Sequence, residues 1–189
     1  MSFLAPDYPE IRYDRDEGET NVASFRPAGT PPDYVAPNGS TFHYLSTRLS
    51  TNGLYGLYQN RLTGEVGGTS PHFHKTMSES FYVLSGEIHV FDGERWFDAA
   101  RGDYLYIPPG GVHSFGNISG EPAEFLMLFS PGAAREGYFE GLADVATMTE
   151  EERAAFFVRH DSFFADMTKG PAADSWQDRA ALRKSFKTR

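Results

Sequence analysis

The strongest constraint on the fold of this chain is the spacing of its turn signals between residues 41 and 130. Asn52-Gly53, Gly64, Gly67-Gly68, Ser85-Gly86, Asp92-Gly93, Arg101-Gly102-Asp103, Pro108-Pro109-Gly110-Gly111 and Ser119-Gly120 punctuate the stretch, and Pro131-Gly132 closes it. Glycine and asparagine reach the left-handed backbone conformations that tight turns need, and proline interrupts a hydrogen-bonded ladder. Between these signals lie runs rich in aromatic and branched residues, at 42–49, 54–62, 70–74, 79–84, 87–91, 95–97, 104–107, 112–118 and 123–129. Such intervals leave little room for helices. About nine short strands are expected, folded into a sandwich or barrel.

The flanks read differently. Residues 1–40 hold six of the twelve prolines, a density that resists helix and central strand alike, so an extended arm is expected there. After Pro131 the pattern turns helical. Residues 133–145 are a candidate helix weakened by Gly137 and Gly141, and Thr149 with Glu152 forms a capping box that starts a second helix running to about His160. Phe157 and Phe164 could share an apolar face. Residues 169–189 carry six basic and two acidic side chains and read as a solvated tail or a marginal helix over 175–184. The expected organisation is an arm at 1–40, a barrel at 41–130, and a C-terminal helical extension with a basic tail at 131–189.

Composition narrows the function. With no cysteine among 189 residues, disulfides, Fe–S clusters and thiol catalysis are excluded. Twenty-six acids against seventeen Lys and Arg give a net charge of −9, which argues against nucleic acid as a partner. No apolar run approaches the ~20 residues of a membrane span. The acidic N-terminus does not look like a signal peptide, so a cytoplasmic location is expected.

Three of the six histidines form a pattern with one carboxylate. His72 and His74 are two apart, so on a strand they share a face. Glu79 follows after a short turn, where antiparallel pairing can bring it back beside them. His113 follows Gly102, Pro108 and Gly110. Three imidazoles and one carboxylate suit one divalent first-row metal, among iron, manganese, nickel, cobalt, copper and zinc, and they leave positions open for a reactant. Any one of these histidines alone would read as a hydrogen-bonded barrel residue. His43 and His89 are expected on the sheet surface or a pocket wall, and His160 at a helix end.

Residues 71–87, PHFHKTMSESFYVLSGE, resemble the first cupin motif, and residues 102–117, GDYLYIPPGGVHSFGN, resemble the second. The spacing matches from His72 to Gly86 and from Gly102 to Asn117. The opening glycine of the first motif would fall at Val66, and Gly67 is one place late. The resemblance implies an all-β fold, a double-stranded β-helix or jelly-roll-like barrel, with His72, His74, Glu79 and His113 as metal ligands near one open end. It also implies a homodimer, in which the arm would take part. The flank PGAAREGYFEGLADV, residues 131–145, is loosely similar to quercetinase-like bacterial monocupins, which are dioxygenases of flavonols and related enols.

Three functions are compatible with this pattern. In a dioxygenase, an enol or phenol and dioxygen would react at the metal with no organic cofactor. Glu79 would serve as ligand and as base, and Phe81, Val83 and Phe115 would wall the pocket by alternation along their strands. In a redox-neutral isomerase or cyclase, the same centre would stabilise an enolate of a polyketide-like or sugar-like molecule. A non-enzymatic small-molecule-binding cupin is the third, although no helix-turn-helix unit is evident beside the barrel. One fold hosts many chemistries, so the resemblance speaks more strongly to fold and metal than to reaction.

Overall fold

The structure is a computed structural model that describes residues 12–165 and 175–187. The chain divides into two compact units, residues 1–30 and 31–189. The described part of the first has no helix or strand. The N-terminal residues of the arm and residues 166–174 of the tail lie outside the described residues.

The second unit carries all the regular structure. Its strands are β1 (Tyr34–Val35), β2 (Thr41–Ser46), β3 (Gly56–Leu62), β4 (Gly67–Gly68), β5 (His72–Phe73), β6 (Ser78–Ser85), β7 (Glu87–Phe91), β8 (Trp96–Ala100), β9 (Tyr104–Ile107), β10 (Ser114–Asn117) and β11 (Ala123–Ser130). Then follow α1 (Glu136–Gly141), a 3-10 turn (Leu142–Asp144), α2 (Glu150–Arg159), β12 (Phe163–Phe164) and α3 (Trp176–Lys187). All pairings are antiparallel, in the orders β1-β2-β3-β11-β6-β9 and β4-β10-β7-β8, with β12 paired to β5. This is the expected double-stranded β-helix. The first strand, β1, forms inside the stretch read as arm, because Tyr34 pairs with Phe42 of β2 and its ring packs on that phenylalanine.

Period-two alternation builds the core. On β11, Ala123, Phe125, Met127 and Phe129 point inward, and on β6 Glu79, Phe81 and Val83 do the same. The rings of Phe81, Phe115 and Phe125 meet within 5.6 Å of one another. Two glycines are required by geometry. Gly86 turns β6 into β7 at φ 67°, and any Cβ there would strike the Pro122 carbonyl. Gly68 pairs with Gly116 so closely that a Cβ would meet the Phe115 oxygen at 2.4 Å. The close approach needing glycine in this part of the first motif is therefore at 68, while Gly67 has open space around it.

The expected helix over 133–145 is shorter in the structure. Gly141 ends α1, where its bare Cα lets the Phe156 ring of α2 lie against it. The Thr149–Glu152 capping box is present at the start of α2. Phe157 and Phe164 do touch, at 4.6 Å between rings, but Phe164 belongs to β12 rather than to the helix. Among the described residues no helix is long and apolar enough to cross a membrane.

Candidate metal centre

His72, His74, Glu79 and His113 each offer one ligand atom, and these atoms all lie within 4.8 Å of one another. Short-range structure explains the convergence. His72 and His113 exchange both backbone hydrogen bonds across an isolated bridge, 2.9 and 2.8 Å long, so the two motifs are locked together at their ligands. Gly110, at φ 83°, donates its N–H to the His74 carbonyl at 2.7 Å, which ties the Pro-Pro-Gly-Gly loop to the other strand. Glu79 sits between Phe129 of β11 and Ile107 of β9, near one end of the larger sheet.

The imidazoles are oriented from behind. Nδ1 of His72 donates to the Ser70 carbonyl (2.9 Å), Nδ1 of His74 to that of Asp161 (2.5 Å) and Nδ1 of His113 to that of Gly111 (3.0 Å). A carbonyl oxygen only accepts, so each ring carries a proton on Nδ1 and turns Nε2 to the centre, where it would ligate an ion once any proton of its own has left. Nε2 of His74 and of His113 stand 3.1 and 2.8 Å from Glu79 Oε2. All four side chains are buried.

The charges follow from this packing. Burial, reinforced by the neighbouring His113, lowers the His72 pKa to about 3, so its ring is neutral and its lone pair available at neutral pH. Burial alone would raise the Glu79 pKa, but hydrogen bonds from His113 and His74 outweigh it and hold the carboxyl well below the usual range. Burial opposes a charge on His113 too, yet its contact with Glu79 wins and raises its pKa. A buried carboxylate facing three outward-tied imidazoles is a donor set that fits a divalent first-row metal.

A cavity of about 560 Å³ opens from this cluster, with His72 and Glu79 in its wall. Phe115 lines it, as do Phe42, Tyr138 and Phe139. Phe81 and Val83 share the inward face of Glu79 but are fully buried deeper in the barrel. Alternation put them on the correct face. It carried no information about depth, and only the residue at the strand's end meets the cavity. His43 lies on β2, and His89 stacks on Trp96 and bonds Asp98 on the outer side of the smaller sheet. His160 caps the C-terminus of α2.

Two residues with a part in the site come from the C-terminal extension and carry no spacing signal. Asp161 supplies the carbonyl that holds His74. Arg135, just before α1, is almost wholly buried and lines the cavity. The only hint in the sequence is an arginine beside one glutamate in a run of small and aromatic residues, Ala133-Ala134-Arg135-Glu136-Gly137-Tyr138-Phe139.

Comparison with known proteins gives a consistent picture. Residues 61–129 match the cupin domain model. An uncharacterized protein of Methanocaldococcus jannaschii is 35% identical over 107 residues, which is 54% of this chain and 82% of that protein. A glucose-6-phosphate isomerase of Thermococcus gammatolerans is 29% identical over 87 residues, covering 42% of this chain but only 46% of the isomerase. Among solved structures, a protein of Thermotoga maritima described as a predicted oxalate decarboxylase superposes with a TM-score of 0.50 at 20% identity, over 58% of this chain and 99% of that one. The motifs that carry the four ligands fall within the matched region, and four-fifths of the Methanocaldococcus protein aligns at more than one-third identity, so this chain belongs to the cupin superfamily.

Proposed function

We propose that the protein is a metal-dependent dioxygenase, quercetinase-like, that cleaves an enolic or phenolic small molecule such as a flavonol. The observation that carries this reading is the double placement of Glu79, inside the ligand cluster and in the wall of the cavity. A carboxylate so placed is within reach of a substrate hydroxyl and can accept its proton. The aromatic walls, with Phe42 stacked on Phe139 at 4.6 Å, suit a planar ring system, and the volume is in the range of small-molecule sites. A bound divalent ion would supply Lewis acidity toward the substrate oxygen and a route for electrons to dioxygen. The chain's own part is to orient the rings, exclude water and hold the proton on Glu79.

A redox-neutral isomerase of an enolisable substrate is the second reading, favoured by the Thermococcus isomerase among the relatives. Turnover in labelled dioxygen separates the two. The dioxygenase reading expects both labelled atoms in product and no reaction under nitrogen. A metal-loaded protein that consumes its substrate equally well without oxygen overturns it and favours the isomerase.

A further inference from the structure

Three residues that line the cavity, Ser40, Asn60 and Arg135, each carry a buried side-chain atom without a hydrogen-bond partner: Oγ, Oδ1 and Nε. A buried polar group without its hydrogen bond is costly, so three on residues of one wall call for an explanation. Arg135 is the most demanding. It is 3% exposed and its guanidinium lies 3.8 Å from the Tyr138 ring centroid and 5.0 Å from that of Phe129. Its Nη1 donates to the His160 carbonyl at 2.6 Å, which anchors the chain after α2. That structural bond leaves Nε–H unused. Among the described residues no carboxylate forms an ion pair with Arg135, and Glu79 is engaged by His74 and His113. A divalent ion in the centre would add two positive charges to that of Arg135 against the two negative charges of Glu79 and Glu65 among the lining residues. A cavity of low dielectric with a net positive wall favours an anionic guest.

We propose that the substrate is an organic anion, an enol or phenol that also bears a carboxylate, and that the carboxylate accepts a hydrogen bond from Arg135 Nε. A further hydroxyl on the same molecule would donate to Asn60 Oδ1 and pair with Ser40 Oγ. This inference rests on the reading of the cavity as the substrate site and narrows the substrate class to enols and phenols that carry a carboxylate, which a plain flavonol does not. The guanidinium, held by its Nη1 bond and its ring contacts, is preorganised, so little entropy is lost when the anion docks.

The test is calorimetric and needs no turnover. Zinc-loaded protein under nitrogen is titrated with 4-hydroxybenzoate and with its neutral counterpart 4-hydroxybenzamide. The wild type is expected to bind the carboxylate at least tenfold more tightly. Arg135→Met should erase the preference at unchanged zinc content. Asn60→Asp, which sets a negative charge in the same wall and leaves Arg135 intact, should weaken the benzoate more than the amide and keeps the test decisive if the arginine variant fails to fold. A wild type that binds both probes equally, or binds neither, overturns the proposal. So does a folded Arg135→Met that keeps the preference. A retained benzoate preference together with absence of labelled oxygen in product would sink the dioxygenase reading and leave the anion site standing.

Discussion

Asp161 holds His74 twice over. Its carbonyl accepts the Nδ1–H of His74 at 2.5 Å, and its carboxylate accepts the backbone N–H groups of Lys75 (3.0 Å) and Thr76 (2.9 Å) and the Thr76 hydroxyl (2.7 Å). One residue from beyond the barrel thus orients a ligand and fixes the turn that leads from that ligand to Glu79. Asp161 does this at φ 51°, a left-handed conformation that aspartate and asparagine tolerate better than other non-glycine residues.

Replacing this residue should loosen metal without unfolding the barrel. Asp161→Ala removes three acceptor contacts and puts a strained alanine at positive φ, and metal affinity is expected to fall by about 10–100-fold, the usual cost of losing such a supporting contact. Asp161→Asn keeps the tolerated conformation and a side-chain oxygen that can still accept, so its loss should be smaller. Titration against a competing chelator measures both. Equal affinities for all three proteins would remove the supporting role.

Three of the four ligands were legible because their spacing is local, and the fourth, His113, through the second motif. His72, His74 and Glu79 lie within eight residues, and the turn chemistry around Gly86 and Gly110 dictates where the strands reverse. Asp161 and Arg135 were not, since each reaches the site through tertiary packing of helices whose own pattern records only an apolar face. The same limit explains Phe81 and Val83. Period two specifies the inward face of β6, whereas depth along the barrel depends on which strands close over it.

Phe81 should therefore behave as core. It is wholly buried against Phe115 and Phe125, and Phe81→Ala should cost about 3–5 kcal/mol in denaturant unfolding of the metal-free protein. A loss under about 1 kcal/mol would mean that the side chain lies in collapsible space after all.

The start of α2 gives a pH-dependent prediction. The Thr149 N–H and hydroxyl bond the ionised Glu152, which lowers that carboxyl below its ordinary value. The contribution is therefore complete above the unfolded-state value and is lost as pH falls through the lower folded-state one. Thr149→Ala should destabilise the helix by about 1 kcal/mol at neutral pH, with a smaller difference from wild type in acid. A gap in melting temperature that is constant with pH would exclude the capping box as its source.

A second copy of the chain is the expected cover for the arm. Tyr13, Val22 and Phe25 are 44%, 69% and 88% exposed in the single chain, and apolar area left in water forgoes about 25 cal/mol per Å². Light scattering at micromolar concentration should give the mass of a homodimer, and deletion of residues 1–30 should shift it toward one chain. A wild-type mass of one chain would count against the dimer.

Glu79→Gln separates holding the metal from using it. The amide keeps the shape of the side chain and an oxygen that can still face His74 and His113, while His72 retains its own tie to Ser70. Metal should therefore remain, bound mainly by three imidazoles, with affinity reduced by the lost charge. What disappears is the base. In the metal-free protein, hydrogen bonds from His113 and His74 keep the carboxylate ionised despite full burial, and a bound cation would take their place. A substrate hydroxyl entering from the cavity side competes for this carboxylate, and as those contacts loosen its proton affinity rises. An amide has no such reserve. The variant should lose about 100-fold or more in kcat at comparable metal content, in the range that general-base removal costs. Oxygen uptake measured alongside metal analysis decides it, since a fully loaded Glu79→Gln protein with undiminished rate would leave Glu79 a ligand and nothing more.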